Sequence, residues 1–543
     1  MSTAIRVPSH DEPEQQSPSQ ASAPPQPSAS PSHATPDRKR SRRSVRLVAH
    51  RGSPRTRREN TMPAVAAAEA LGAAAIEIDV RRTSDGVAVL LHDETLGRMW
   101  GDPRRVDATP WCDVARLGND LDRIPRLDSV LDRLDGEGIL LVIDLTDRDD
   151  ALVAARTVLT NRDRAVPVQW CGSPEAMSAV REVIPDADVW LAWTSLTPPT
   201  PEDLVALRPS TLNLDVAFLT PGTVRAAHAL GLTVSCWTVD DPDLAVWAAA
   251  LGVDSITTND VPTVRAALDA PSSAGRRRAP EAVVASRAQT VAHRIAHQII
   301  AFTREHPLGA VETKAHAADL VTDVDRQVEQ FVRGQVRVAF PTHGFTGEEY
   351  GVAPGDEYHW YLDPVDGTTN LVNGVPWTSM SLCLTRGGRP IVGVVADPWR
   401  GEVLEARAGR GAVVRDRSLV LLDDARSLVG GVVGTELDGH RPWPGFADFL
   451  EALVARSCTL RIMGSGTLTL AQVAAGRGVG ACVSAFNPID HGAAVLIVQE
   501  AGGRVFEPGG PVTGFPPLGA PVLVAHPSVA DELFAVWSAS LGS

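Results

Sequence analysis

A parallel (β/α)8 barrel followed by a second, mixed α+β unit is the architecture the sequence predicts, and three observations carry it. Short apolar runs alternate with helical patterns from residue 45 to about residue 268. Such alternation marks a parallel sheet covered by helices, and over this length it closes most simply into a barrel. Residues 271–279 (PSSAGRRRA) interrupt the pattern as a linker would, and beyond them a long helical pattern over 281–305 opens a stretch of intermixed helices and strands. With 543 residues, two domains plus accessory segments are expected. We divide the chain into 1–44, 45–270, 271–284 as linker, and 285–543.

Residues 1–37 are rich in Ser, Pro, Gln and Ala, with too few large apolar residues to offset ordering entropy, so they read as disordered. A basic run, Arg38-Lys39-Arg40-Ser41-Arg42-Arg43, follows and reads as a solvated charge run. The strands of the first unit are VRLVAH (45–50), AAIEIDV (74–80), VAVLLH (87–92), GILLVIDL (138–145), VPVQW (166–170), VWLAW (189–193), TLNLD (211–215), TVSCWTV (233–239) and SITT (255–258). Helices are expected at 64–71, 174–184, 221–230 and 242–251.

The net charge of −15 argues against a general nucleic-acid binder and suits a chain that holds cations in carboxylate clusters. The six cysteines lack CxxC spacing, which argues against a zinc knuckle or disulfide framework. No apolar run has the length of a membrane span and no signal-peptide core is apparent, so stable membrane insertion is not expected and a cytoplasmic location is. Arginine is used almost everywhere, leaving only two lysines, Lys39 and Lys314, and Lys314 therefore raises a functional question.

In AAIEIDV, Glu77 and Asp79 are two apart and project to one face of a strand, while Ile76, Ile78 and Val80 take the other. Two acids pointing into a barrel are costly without a cation. Asp144 adds a third, and three oxygen ligands of this kind suit Mg²⁺ or Ca²⁺. His50-Arg51 and His92 close two strands, at the end where a parallel barrel keeps its chemistry. The two imidazoles suit a general acid and base, and the Arg51 fork suits a phosphate. In the second unit, Lys314, DLVTDVD (319–325), GEE (347–349), DPVDGTTN (363–370) and Asp490 gather acids around a Gly-Thr turn, a set able to hold two or three Mg²⁺ ions. The turn Gly367-Thr368-Thr369 is expected to open a helix whose N–H groups face a phosphate.

HRG (50–52), ENT (59–61), IEIDV (76–80), DG (85–86), HDETLGR (92–98), IPRLDSVL (124–131) and WTV (237–239) resemble the glycerophosphodiester phosphodiesterase family over about residues 45–268. The resemblance implies a TIM barrel with His50 and His92 as the acid/base pair, metal on Glu77, Asp79 and Asp144, and substrate contacts from Arg51, Glu59 and Trp237. Where that family carries Glu-x-Lys, this chain has Asp144-Leu145-Thr146. The ordered set K…DLVTDVD…GEE…DPVDGTTN…D…EAGG resembles the inositol monophosphatase family over about residues 285–540. This implies a layered αβαβα sandwich with Mg²⁺ on Glu348, Asp363, Asp366, Asp490 and the Val365 carbonyl. Asp325 and Thr368 would address the attacking water, Gly367 and Thr368 the phosphate, and Lys314 would lie near the metal. Ile489 replaces the usual Trp, and Val483 falls where a hydroxyl-binding Glu is common.

The expected activity is a fusion of a metal-dependent phosphodiesterase with a Mg²⁺-dependent phosphomonoesterase acting on small molecules, with a homodimer through the second domain among the expected assemblies. A second reading keeps only the C-terminal phosphatase active and makes the barrel a phosphodiester-binding domain, with Thr146 as its motive. A third makes the Arg-rich entry at 38–58 a docking arm.

Overall fold

The computed structural model describes residues 45–195, 199–270, 280–305, 311–313, 320–415, 417–422, 426–439 and 441–542. The tail and basic run, the stretch 271–279 and Lys314 lie outside them.

Eight parallel strands form the barrel: Arg46–Ala49, Ala75–Arg82, Leu140–Leu145, Val168–Gly172, Val189–Trp193, Thr211–Asp215, Thr233–Trp237 and Ser255–Thr258. The first strand pairs with both the second and the last, which closes the sheet. The strand pleat separates two environments. Ile76, Ile78 and Val80 are buried against the outer helices, while Val48, Ala75, Val142, Cys171 and Trp190 fill the floor of the barrel. Two residues further along those floor-facing rows stand His50, Glu77 and Asp144, so an apolar layer gives way to a polar one at the C-terminal mouth. Helix starts follow local chemistry: Thr61, Ser173, Thr220, Asp241 and Asp260 each accept a backbone N–H in the first turn, three of them followed directly by proline and the other two with proline one residue later.

One strand reading is corrected. VAVLLH was expected as a parallel barrel strand ending at His92, but Ala88–Leu90 pairs antiparallel with the second barrel strand. Only a tight turn separates them, and a parallel return needs a crossover of a dozen or more residues. His92 therefore reaches the mouth from a hairpin arm.

The second domain has five layers. Helices Pro280–Glu305 and Asp323–Ala339 cover an eight-stranded sheet in which Tyr358–Asp366, Ser379–Arg386 and Arg389–Asp397 are central. Helices Gly466–Ala474 and Pro488–Glu500 form the middle layer. A six-stranded sheet containing Gly480–Val483 and Val522–Ala525 follows, covered by helices Phe446–Val454 and Ala530–Leu541. This is the expected αβαβα sandwich. The first helix starts at Pro280, so the end of the stretch 271–284 read as linker is helical. Among the described residues, no helix is long and apolar enough to cross a membrane.

Candidate active sites

In the barrel, carboxylate oxygens of Glu77, Asp79 and Asp144 lie within 4.8 Å of one another. Register explains the approach: Asp79 and Asp144 are direct partners across neighbouring parallel strands, and Glu77 precedes Asp79 on the same face. Burial, then the charges of Asp79 and Asp144, push the Glu77 carboxyl well above its usual range. Burial and Asp79 push Asp144 up to about 6. Glu77 Oε1 is buried with no hydrogen-bond partner. Three clustered acids and an orphaned acceptor fit a hard divalent cation, which would replace mutual repulsion with attraction.

The imidazoles flank this cluster differently. His50 Nδ1 lies 2.7 Å from Asn259 Oδ1, and Asn259 Nδ2 donates to Asp240 at 2.9 Å. With its amide thus oriented, Asn259 accepts the His50 Nδ1 proton and leaves Nε2 as the ring's lone pair, 3.9 Å from Glu77. Burial, followed by the Arg51 charge, lowers the His50 pKa, so the ring is neutral and able to take a proton near pH 7. His92 Nδ1 lies 2.7 Å from Asp93 Oδ1, and Arg98 holds that carboxylate from the other side. Arg51 stands in the left-handed region at φ 54°. Its backbone N–H donates to Glu77 at 2.8 Å, Nη1 donates to Glu59 at 3.0 Å, and Nε lies 3.2 Å from Asp79. Glu59 also accepts from Arg98 at 2.6 Å, so it braces two guanidiniums. Trp237 ends the seventh barrel strand with its indole N–H buried and unpartnered. A cavity of about 370 Å³ is lined by Thr146, the residue found in place of lysine, and by Arg81, Arg82 and Arg105 together with Glu94, Asp107, Asp147 and Asp150, so its arginines are matched by carboxylates.

In the second domain, DPVDGTTN sits at the end of strand Tyr358–Asp366. Residues three apart on a regular strand face opposite ways, but the pairing shifts register between Asp363 and Asp366, at Pro364. Asp363 is 4 % exposed. Burial and then Glu348, Asp366, Asp490 and Asp325 drive its carboxyl well above the usual range. Burial pushes Asp366 up to about 6, against hydrogen bonds from Ser465 Oγ at 2.7 Å and Thr467 N at 2.6 Å, with Asp490 adding to the rise. Thr368 Oγ1 donates toward Asp325 Oδ1 and the Val365 carbonyl, each at 3.0 Å. Gly367 takes φ 91°, and a Cβ there would lie 2.7 Å from the Gly464 carbonyl oxygen, so the turn requires glycine. Asn370 ties the turn down by donating to the Trp377 and Met463 carbonyls. Buried Glu329 accepts from the backbone N–H groups of Glu349 and Tyr350, fixing the loop that carries Glu348. Val483 is buried in the core beneath the site, and Ile489 lies in the first turn of helix Pro488–Glu500 that carries Asp490.

The residues outside the sequence reading are those that orient the acids and imidazoles: Asn259, Asp240, Asn60, Ser465, Thr467 and Glu329. Asn60 alone had a local signal, in ENT, and it donates to Asp79 at 2.7 Å.

Asp144→Asn offers a test of the barrel cluster. A carboxyl raised above its unfolded value stabilises the fold below the unfolded pKa and loses that contribution as pH rises through the folded value. In metal-free protein the variant's Tm is therefore expected to gain on wild type between pH 4 and pH 6, most steeply in the middle of that interval, and to level off above it. A Tm difference that stays flat across this range would contradict the cluster's electrostatics.

Residues 281–540 match the model of the inositol monophosphatase family, and residues 50–263 that of the glycerophosphoryl diester phosphodiesterase family. Nus factor SuhB of Pseudomonas aeruginosa is 38 % identical over 200 residues, 35 % of this chain and 72 % of that protein. Inositol monophosphatase 2 of Solanum lycopersicum is 36 % identical over 203 residues, 35 % of this chain and 76 % of that protein. A solved phosphodiesterase of Oleispira antarctica, in complex with sn-glycerol-3-phosphate, is 22 % identical, with a TM-score of 0.39 over 41 % of this chain and 96 % of its own.

Proposed function

The chain belongs to the inositol monophosphatase family, and on that premise we propose that it hydrolyses two phosphoesters in turn, a glycerophosphodiester in the barrel and a small phosphomonoester in the sandwich. The single observation that carries the reading is the presence, in one chain, of two separate carboxylate centres, each beside groups able to move a proton. Mg²⁺ in the second site, as two or three ions, and Mg²⁺ or Ca²⁺ in the first would neutralise phosphate charge and acidify bound water.

In the barrel, Glu77, Asp79 and Asp144 would hold the cation, and His50 Nε2 takes the proton of the attacking water. His92, backed by Asp93, delivers a proton to the departing alcohol oxygen, and Arg51 with Trp237 lines the diester. Water adds to phosphorus, one P–O bond breaks, and an alcohol and a phosphomonoester result. In the sandwich, Glu348, Asp363, Asp366, Asp490 and the Val365 carbonyl would hold the cations. Thr368 and Asp325 form a hydrogen-bonded pair that orients the second water, while the Gly367–Thr368 backbone takes the phosphate. The order is chemically coherent, since the first reaction's product is the second's class of substrate. Glycerophosphoinositol passing through inositol phosphate to inositol is the specific sequence we propose.

The assay is release of alcohol and inorganic phosphate from glycerophosphodiesters and from sugar or inositol monophosphates by the full chain. Both activities are expected with Mg²⁺, to fall to background in EDTA, and to return when Mg²⁺ is restored. Full activity after chelation, on either substrate class, would sink the metal assignment for that site.

A further inference from the structure

The second domain docks on the catalytic rim of the barrel. Helix Pro280–Glu305 packs on helix Pro242–Leu251 and on the turn Val216–Phe218 that follows the sixth barrel strand. Arg294 pairs with Asp215, and its guanidinium lies 6.0 Å from the ring centroids of both Phe218 and Trp237. Arg407, at the end of strand Glu402–Arg407, donates to Asp241 at 2.6 Å, with the two side chains only 12 % and 18 % exposed. Arg410 reaches Asp243 at 3.4 Å. These contacts fall on the loops after strands Thr211–Asp215 and Thr233–Trp237, the end of a parallel barrel where reacting groups sit.

The corner that Arg407 holds is wired to His50. Asp240, one residue before Asp241, accepts from the Asn259 backbone N–H at 2.7 Å, from Asn259 Nδ2 at 2.9 Å and from the Thr258 hydroxyl at 2.9 Å. Asn259 in turn accepts the His50 Nδ1 proton at 2.7 Å. Asp241 also caps helix Pro242–Leu251 through the N–H groups of Asp243 and Leu244. The remaining ion pair on the corner, Arg55 with Asp240 at 3.2 Å, joins a 62 % exposed arginine and contributes little. A largely buried pair broken on one side leaves an uncompensated charge, so the corner depends on the guanidinium opposite it.

We propose that Arg407 of the phosphatase domain is a positioning residue for the barrel's reaction: by fixing the Asp240–Asp241 corner it sets Asn259, and through Asn259 the ring of His50. The barrel's site is thus completed by its neighbour. The inference rests on the diesterase reading above.

The test compares Arg407→Met and Arg407→Lys with wild type in the full chain, reading both activities and amide hydrogen exchange over residues 238–260. The Met variant is expected to lose about 10-fold in diesterase kcat with KM nearly unchanged, because a misplaced base slows chemistry rather than binding. Its Asn259 amide exchanges faster, its monoesterase activity is unchanged, and Lys, which keeps the charge, recovers most of the loss. Unaltered exchange at Asn259 in the Met variant, or an equal fall in both activities, overturns the proposal. If wild type cleaves no diester, the functional reading fails, while the exchange comparison still decides the coupling.

Discussion

Asp363→Asn is expected to reduce phosphomonoester hydrolysis by about 10³-fold or more, since it removes a charge from the centre we propose holds the cations and orients the water. Asp363 is the acid on which the others converge. It is 4 % exposed, and Glu348, Asp366, Asp490 and Asp325 all act on its carboxyl. The substitution keeps the side chain's shape and allows the bond from Val365 N to Oδ1, at 2.9 Å, to persist. It also relieves repulsion among carboxylates. Metal-free variant should therefore melt above metal-free wild type at pH 7, while Mg²⁺ stabilises it less than it stabilises wild type. Opposite signs for activity and metal-free stability separate a lost ligand from a damaged fold. Diesterase activity is expected to stay within about twofold, because distant sites act independently. Monoesterase activity within tenfold of wild type would show that Asp363 does not centre the site.

Much of this arrangement was legible because single strands carried it. Glu77 with Asp79, and Asp363 with Asp366, are local pairs in apolar runs, where a charge needs a reason to be buried. The barrel and its strand ends followed from the same runs. VAVLLH misled because an apolar run does not state its partner, although the short connection from Arg82 excluded a parallel return. The orienting residues were hidden for a different reason. His50 and Asn259 are 209 residues apart, and Asp366 and Ser465 are 99 apart, so no spacing within one segment announces either bond. Arg407 is more distant still in kind, since its partner Asp241 belongs to another domain. Sequence showed the acids and imidazoles proposed for the chemistry, whereas closure of the barrel and docking of the domains decide which residues orient them.

His50→Ala carries the corresponding expectation for the barrel: diester hydrolysis should fall by about 10²–10⁴-fold, the range for losing a general base or acid, with monoester hydrolysis unchanged. The argument is geometric before it is electrostatic. Asn259, oriented by Asp240, fixes the protonated nitrogen of the ring as Nδ1, so Nε2 is the atom available for a water proton. Burial and Arg51 then keep the ring neutral, the state a base requires. The fall should appear in kcat more than in KM, because the carboxylates, Arg51 and Trp237 still receive the diester. Asn259→Leu should reproduce part of the loss while leaving the imidazole present, since the tautomer is then no longer specified. A His50→Ala chain that cleaves diesters at the wild-type rate would remove the barrel from this class of hydrolase. Loss of both activities together would instead mean that the rim of the barrel supports the phosphatase, which reverses the direction of dependence inferred through Arg407.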